Sequence, residues 1–182
     1  MKKICITFLL LFIIFLTVGC DGVSVNGMGK SKNTEFLRIH VRANSNLDSD
    51  QSIKYIIKDA IVKHLTPIVS NCHNKDDAVA VITAKSETLK YIIDRILIEN
   101  GYDYTSKVSI RNEKFPTRVY EGITLNGGYY DSVIVELGEA KGDNWWCVVY
   151  PPLCFTTTEN VVYRSKILEI IREFKKRLSQ NN

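Results

Sequence analysis

The chain has 182 residues, of which 45% are hydrophobic and 24% charged, the composition of an ordinary globular protein. This composition excludes a disordered chain, a collagen-like fibre and a membrane protein with many spans. The net charge of +4 is too small for a nucleic-acid-binding surface, so we expect no nucleic acid partner.

Residues 1–20 have the pattern of an export signal. Lys2 and Lys3 precede an uncharged apolar run over residues 4–18. A helix of that length spans about 22 Å, less than the ~30 Å hydrocarbon core, so export is favoured over a transmembrane helix. The segment 16–20 resembles a bacterial lipobox and ends in Cys20. Three outcomes stay open: lipidation of Cys20, ordinary cleavage, or retention as an anchor.

A short polar segment separates this signal from the domain. Residues 21–34 are rich in Gly, Ser and Asn, which is typical of a flexible linker. The folded domain is therefore expected to start near Glu35 and to occupy residues 35–182.

The domain opens with a predicted strand. Residues 36–42 alternate between apolar and polar side chains, which is the period of a half-buried strand. The apolar face, which we expect to be buried, consists of Leu37, Ile39 and Val41. The opposite face is basic and is expected to be exposed; it consists of Arg38, His40 and Arg42.

Two helices are predicted next. The first opens with Asp48 and Gln51 in a capping-box arrangement, carries an apolar stripe and ends near Pro67. The second begins after Asn74, with acidic residues in its first turn, and continues without a break to Gly101.

From Tyr104 onwards the pattern is that of strands, with apolar residues at every second position. A turn at residues 126–128 (Asn-Gly-Gly) is predicted to join two of them as a hairpin. A further strand at residues 145–150 and a helix from about Thr158 complete the chain. This order of elements predicts a single α+β domain, with a mainly antiparallel sheet covered by about three helices.

The sequence contains no recognisable catalytic or metal-binding motif. His40, His64 and His73 are scattered, and none has a second ligand at zinc-site spacing. The turn at residues 44–48 resembles the start of an EF-hand loop but lacks its glycine and its final glutamate. Phosphate-binding loops and nucleophile elbows are missing as well. We therefore expect no metal, no cofactor and no enzymatic activity.

Three cysteines lie in the domain: Cys72, Cys147 and Cys154. Cys147 and Cys154 flank two prolines, and a chain reversal there could bring their Cα atoms within disulfide range. Export would permit the bond and would leave Cys72 unpaired. The alternative is that Cys147 or Cys154 is a thiol nucleophile, which requires a basic partner.

Trp145 and Trp146 are neighbours on a predicted strand, so their side chains point to opposite faces. Either both faces of the sheet are covered, or one indole is exposed. An exposed indole next to prolines suits a contact with another protein. Both possibilities stay open.

Three segments of the domain resemble those of a known family, and the last of the three also has an unusual composition. They are residues 37–45 (Leu-Arg-Ile-His-Val-Arg-Ala-Asn-Ser), 115–118 (Phe-Pro-Thr-Arg) and 144–155 (Asn-Trp-Trp-Cys-Val-Val-Tyr-Pro-Pro-Leu-Cys-Phe). Together they resemble the stage II sporulation protein R family. The resemblance implies a signalling protein that is made in the forespore and exported into the space between the two septal membranes. There it is implied to activate an aspartic protease in the mother-cell membrane, which removes the pro-sequence of sigma-E.

The leading hypothesis is an exported, non-enzymatic protein that activates this membrane protease by binding it. We expect Trp145, Trp146 and Tyr150 to form the contact surface, with the basic face of the first strand as second choice. Two hypotheses from other classes are an exported thiol-dependent hydrolase and a lipid-anchored binding module of the cell surface. A lipid on Cys20, or an uncleaved N-terminal anchor, would hold the domain at a membrane.

Overall fold

A computed structural model describes residues 35–120, 122–156 and 161–180. In this part the chain forms, in order, β1 (Leu37–Arg42), α1 (Asp48–Val69), α2 (Lys75–Ala84), α3 (Ser86–Glu99), β2 (Ser106–Phe115), β3 (Arg118–Tyr120), β4 (Ile123–Leu125), β5 (Gly128–Leu137), β6 (Asn144–Tyr150) and α4 (Val161–Gln180). None of these helices, as far as they are described, is long and apolar enough to cross a membrane. The predicted signal, the linker and Cys20 lie outside the described residues.

The main sheet has four strands in the order β2-β5-β1-β6. The pairs β2–β5 and β1–β6 are antiparallel, and the inner pair β1–β5 is parallel. Strands β3 and β4 form a separate two-stranded hairpin. The predicted α+β fold with a mainly antiparallel sheet is confirmed, with four described helices in place of about three.

The hydrophobic core combines one face of the main sheet with buried residues of all four described helices, α1 to α4. The register of β1 and β5 places Ile39 beside Val133 and Val41 beside Val135, and all four side chains are fully buried. Ile57 of α1 is buried against the same core. Each such side chain contributes roughly 1.5–3 kcal/mol on burial, so this layer supplies most of the driving force for folding.

The prediction that β1 is half-buried is wrong, because every residue of the strand except Arg42 is buried, on both faces. Arg38 is fully buried and His40 is only 2% exposed, so neither presents an exposed basic face; Arg42 is 27% exposed. The reason is that β1 lies inside the sheet, between β5 and β6, and that the β3–β4 hairpin covers one end of its second face. A period of two shows which residues share a face but not what covers that face.

The capping box predicted at the start of α1 is also wrong. The N-cap residue is Leu47, which makes no side-chain capping bond, and Gln51 donates its Nε2–H to the carbonyl of Ser45 at 2.9 Å. The hydroxyl of Ser45 donates to Asp50 at 2.6 Å, so the turn is fixed by a residue of the first helical turn. The predicted end of α1 near Pro67 agrees with the structure, in which the helix ends at Val69.

The second predicted helix is in fact two helices. Its start is confirmed, since Oδ1 of Asn74 accepts the N–H of Asp77 at 2.9 Å. The chain then breaks at Lys85, whose N–H bonds to the carbonyls of Val81 and Ile82 and so ends α2. Neither Gly nor Pro marks this break, and the apolar spacing is similar on both sides of it.

The hairpin predicted around residues 126–128 is wrong as well. The strand before the turn, β4, pairs with β3, whereas the strand after it, β5, pairs along its whole length with β2. The N–H of Gly127 donates to Oγ1 of Thr117 at 2.8 Å. The turn therefore leads the chain from the small sheet into the main sheet. A ten-residue ladder between β2 and β5 outweighs the local preference for a hairpin.

The turn after β1 is tied to the loop between β5 and β6. Oδ1 of Asn44 accepts the N–H of Glu139 at 2.8 Å, and Oδ1 of Asn46 accepts that of Asp143 at 2.6 Å. Gly138 has a φ of +53°, and a Cβ at this position would overlap the side chain of Asn44. These residues hold two loops together at the end of β1.

Candidate functional site

The second face of the main sheet carries polar residues from all four strands. The β3–β4 hairpin covers one end of this face. At the other end lies a group that we call the open face, which consists of His40, Arg42, Arg111, Glu113, Glu136 and Trp146. The strand registers bring these residues together, since Arg42 of β1 lies beside Glu136 of β5 and His40 lies beside Trp146 of β6.

Four charged side chains of the open face form an ion network. Arg42 lies 2.6 Å from Glu113 and 2.9 Å from Glu136. Arg111 reaches the same two carboxylates, at 3.2 Å and 3.1 Å. Burial alone would raise the pKa of both glutamates, but hydrogen bonds and the positive charges beside them lower it, so both carboxylates are ionised at neutral pH. Each guanidinium bridges two carboxylates, which restricts the orientation of all four side chains.

His40 connects this network to Trp146. The two rings are stacked, with centroids 3.5 Å apart, and Nδ1 of His40 lies 2.7 Å from Oε1 of Glu113. An ionised carboxylate only accepts hydrogen bonds, so Nδ1 carries the proton. Nε2 is buried without a hydrogen-bond partner among the described residues. Burial lowers the pKa of His40, although Asn144 and Glu113 favour the charged ring, and the imidazole is therefore neutral at pH 7.

Arg38 occupies the covered end of the same face. Its guanidinium lies 4.2 Å from the ring centroid of Phe115 and 4.9 Å from that of Tyr130. It donates to the hydroxyl of Tyr120 at 2.8 Å and to the carbonyl of Pro116 at 3.4 Å. Burial lowers its pKa, but an arginine remains charged at pH 7. Arg38 thus attaches the β3–β4 hairpin to the sheet.

The structure does not bring Trp145, Trp146 and Tyr150 to one surface. Trp146 is half-buried on the open face, next to His40. Trp145 is half-buried on the opposite face, where it pairs with Val41. Tyr150 is 4% exposed, and burial raises its pKa. Of these three aromatic residues, Trp146 is the one that joins the polar group.

Tyr150 instead lies at a cleft beneath α4. The cleft has a volume of about 450 Å³, and its lining includes Cys72, His73, Glu173 and Arg177. This lining contains both acidic and basic side chains, so the cleft does not favour a ligand of one particular charge. We therefore regard the open face as the stronger candidate site.

The structure joins Cys147 and Cys154 in a disulfide, with Cα atoms 6.3 Å apart. This distance lies within the range of about 4.4–6.8 Å that disulfides adopt. Cys72 is a buried free thiol that donates to the carbonyl of Ile68 at 3.3 Å, and burial raises its pKa. A thiol nucleophile needs a lowered pKa. In this structure Cys147 and Cys154 are therefore joined in a disulfide, and Cys72 is a buried thiol with a raised pKa.

The histidines of the domain lie on different elements: His40 on β1, His64 on α1 and His73 before α2. Within the part of the chain that the structure describes, no group of three or more His, Cys, Asp or Glu side chains is placed to hold a metal ion.

Half of the open face was not predicted from the sequence, namely Arg111, Glu113 and Glu136. A signal exists for Arg111 and Glu136, because they alternate with apolar residues on β2 and β5, as His40 does on β1. Glu113 has no such signal, since it lies between Asn112 and Lys114. This alternation identifies a polar face for each strand separately. Only the strand order shows that the three polar faces adjoin.

Comparisons with known proteins identify the family. The profile of the family described as stage II sporulation protein R matches residues 33–160, which include all six described strands. A relative named "Stage II sporulation protein R", from Bacillus subtilis (strain 168), is 34% identical over 124 residues. The match covers 68% of this chain and 55% of the relative, so the chain spans little more than half of that protein's length. No solved structure matches the chain significantly. The chain belongs to the stage II sporulation protein R family.

Proposed function

We propose that this protein is an exported signal of sporulation that binds and activates an aspartic protease in the mother-cell membrane, which then processes pro-sigma-E. Membership of a sporulation protein family carries this proposal. The basic and apolar N-terminal sequence supports export, and the disulfide between Cys147 and Cys154 supports an oxidising compartment. We place the domain in the space between the septal membranes, tethered through Cys20 or an uncleaved anchor.

The open face supports binding rather than catalysis. Its two carboxylates are each held by Arg42 and Arg111, and the unpartnered nitrogen of His40 is buried. Groups restrained in this way present a fixed surface, which lowers the entropic cost of recognition. As an activator, the protein must bind the active state of the protease more tightly than the inactive state. Only this difference in affinity shifts the equilibrium of the protease from its inactive to its active state.

Co-expression of the full chain with the candidate protease and pro-sigma-E tests this function. Processed sigma-E should accumulate when all three proteins are present. It should be absent when the chain is omitted or when a catalytic aspartate of the protease is replaced. Processing that persists with the inactivated protease would contradict the proposal.

The thiol-dependent hydrolase is tested in the same assay with the variants Cys147→Ala and Cys154→Ala. A hydrolase that uses either thiol should lose activity completely while it still folds and binds. An activator that acts by binding should keep its activity at a temperature where the variant remains folded.

A further inference from the structure

We propose that the open face is the docking surface for an acidic segment of a partner protein, with Trp146 as its apolar anchor. The identity of that partner rests on the proposed function, whereas the chemistry of the contact rests on the open face alone.

The balance of charge on this face of the sheet favours an acidic partner. The ion network of the open face is neutral as a whole, because its two arginines match its two glutamates. Two further cations share the same face: Lys107, which is aligned with Glu136 in the β2–β5 register, and the buried Arg38. No carboxylate among the described residues lies within ion-pair distance of Arg38. The face therefore has an excess of positive charge, which attracts a negatively charged segment.

The open face also presents accessible hydrogen-bond donors. Arg111 is 37% exposed and Arg42 is 27% exposed, although both contact Glu113 and Glu136. A guanidinium has five N–H donors, more than these contacts require. Incoming carboxylates would thus meet charged donors that are already oriented by the network.

Trp146 is placed where it can serve as an apolar anchor. The indole is stacked on His40 and packs edge-on against Phe115, with ring centroids 4.8 Å apart. An indole restrained on two sides loses little conformational freedom when a partner covers its outer side. Aromatic anchors next to arginines are typical of the residues that dominate protein interfaces.

Photo-crosslinking from the full chain in sporulating cells tests this inference. Benzoylphenylalanine replaces Asn144, an exposed residue aligned with Arg42 at the edge of the open face. The matched control position is Tyr91, which is exposed on α3 in the helical layer. We expect a protein adduct from position 144 but not from position 91. Mass spectrometry should map it to a segment in which Asp and Glu outnumber Lys and Arg.

Charge variants provide the second readout. Arg111→Glu should lower the yield of the adduct at least about tenfold, because it places like charges opposite each other. Glu136→Gln disturbs the same network but removes a negative charge, so the yield should be maintained or increased. Equal losses in both variants would indicate a structural effect and would overturn the inference. Arg95→Glu, on α3, is the control for a charge reversal away from the site.

The remaining outcomes are decisive too. A phospholipid adduct, an adduct with a second copy of the chain, or an adduct on a neutral or basic segment overturns the inference. So does the lack of any adduct from position 144 in cells that process pro-sigma-E normally. An acidic adduct on a protein other than the protease supports the open face as the docking surface while it contradicts the proposed function.

Discussion

The imidazole of His40 lies flat against the indole of Trp146, with ring centroids 3.5 Å apart and ring planes inclined by 21°. The same imidazole donates a hydrogen bond to Glu113, which in turn holds Arg42 and Arg111. His40 therefore joins an aromatic residue of the edge strand β6 to charged residues of β1 and β2. A change in the charge of this ring acts on the stack and on the ion network together.

Acidification is expected to destabilise the domain in two steps. Burial lowers the pKa of His40 from its ordinary value of 6.5, so the unfolded chain binds the proton first as the pH falls. The free energy of unfolding should therefore decrease as the pH falls below 6.5. The pKa values of Glu113 and Glu136 lie below the ordinary 4.5, so a second decrease should follow below pH 4.5. Urea unfolding at pH 8, 6, 5 and 4 measures both steps.

The first step needs a control, because burial also lowers the pKa of His64. His40→Gln and His64→Gln should each remove part of the stability change between pH 6.5 and 5, and the double variant should remove most of it. If the stability of the double variant still fell between pH 6.5 and 5 as much as that of the wild type, titratable groups other than these two histidines would be responsible for the first step.

Local sequence patterns were sufficient for the outline of this fold. Alternation identified β1 and β5, the apolar stripes identified α1 and α4, and Asn74 marked the start of α2. These signals work because each arises from contacts that repeat along one element. The break at Lys85 was not predictable in this way, since neither Gly nor Pro marks it. The pairing of β5 with β2 was not predictable either, because it joins residues that are distant in the chain.

The candidate site was less accessible to prediction. Trp146, His40 and Arg42 were singled out from their residue types, but the basic face was expected to be exposed. The burial of Arg38 depends on Tyr120 and Pro116, which lie about eighty positions away in the sequence. Placing Glu113 and Glu136 beside Arg42 likewise requires the strand order. Non-local packing, rather than the pattern of any one strand, creates the open face.

Arg38→Met is expected to loosen the β3–β4 hairpin selectively. The substitution removes the hydrogen bonds to Tyr120 and Pro116 and the cation–π contact with Phe115. We expect a loss of about 1–3 kcal/mol in the free energy of unfolding. Amide hydrogen exchange should become faster in β3 and β4 than in the core strand β5.

Arg42→Met is the matched control, because Arg42 lies on the same strand and face but contacts Glu113 and Glu136 instead of the hairpin. It should leave the exchange rates of β3 and β4 unchanged. Equal acceleration of the hairpin amides in both variants would contradict the role assigned to Arg38.

Reduction of the disulfide is expected to destabilise the domain moderately. Cys147 and Cys154 are separated by seven positions, and closing such a short loop contributes roughly 2–3 kcal/mol through the entropy of the unfolded chain. Guanidinium unfolding with and without a reductant measures this contribution. The free energy of unfolding of Cys154→Ala should not change with the reductant. That of Cys72→Ala should decrease as it does in the wild type. A reductant effect that persists in Cys154→Ala would refute this pairing.

Trp145 and Trp146 provide a matched pair for testing the contact surface. Both are half-buried tryptophans on β6, but they lie on opposite faces of the sheet. Trp146→Ala should reduce pro-sigma-E processing about tenfold or more, as expected for the loss of an aromatic anchor. Trp145→Ala should keep most of the activity once it is compared at equal amounts of folded protein. Trp146→Phe preserves an aromatic ring over His40 and should give an intermediate result. Processing that depends on Trp145 more than on Trp146 would move the contact surface away from the open face.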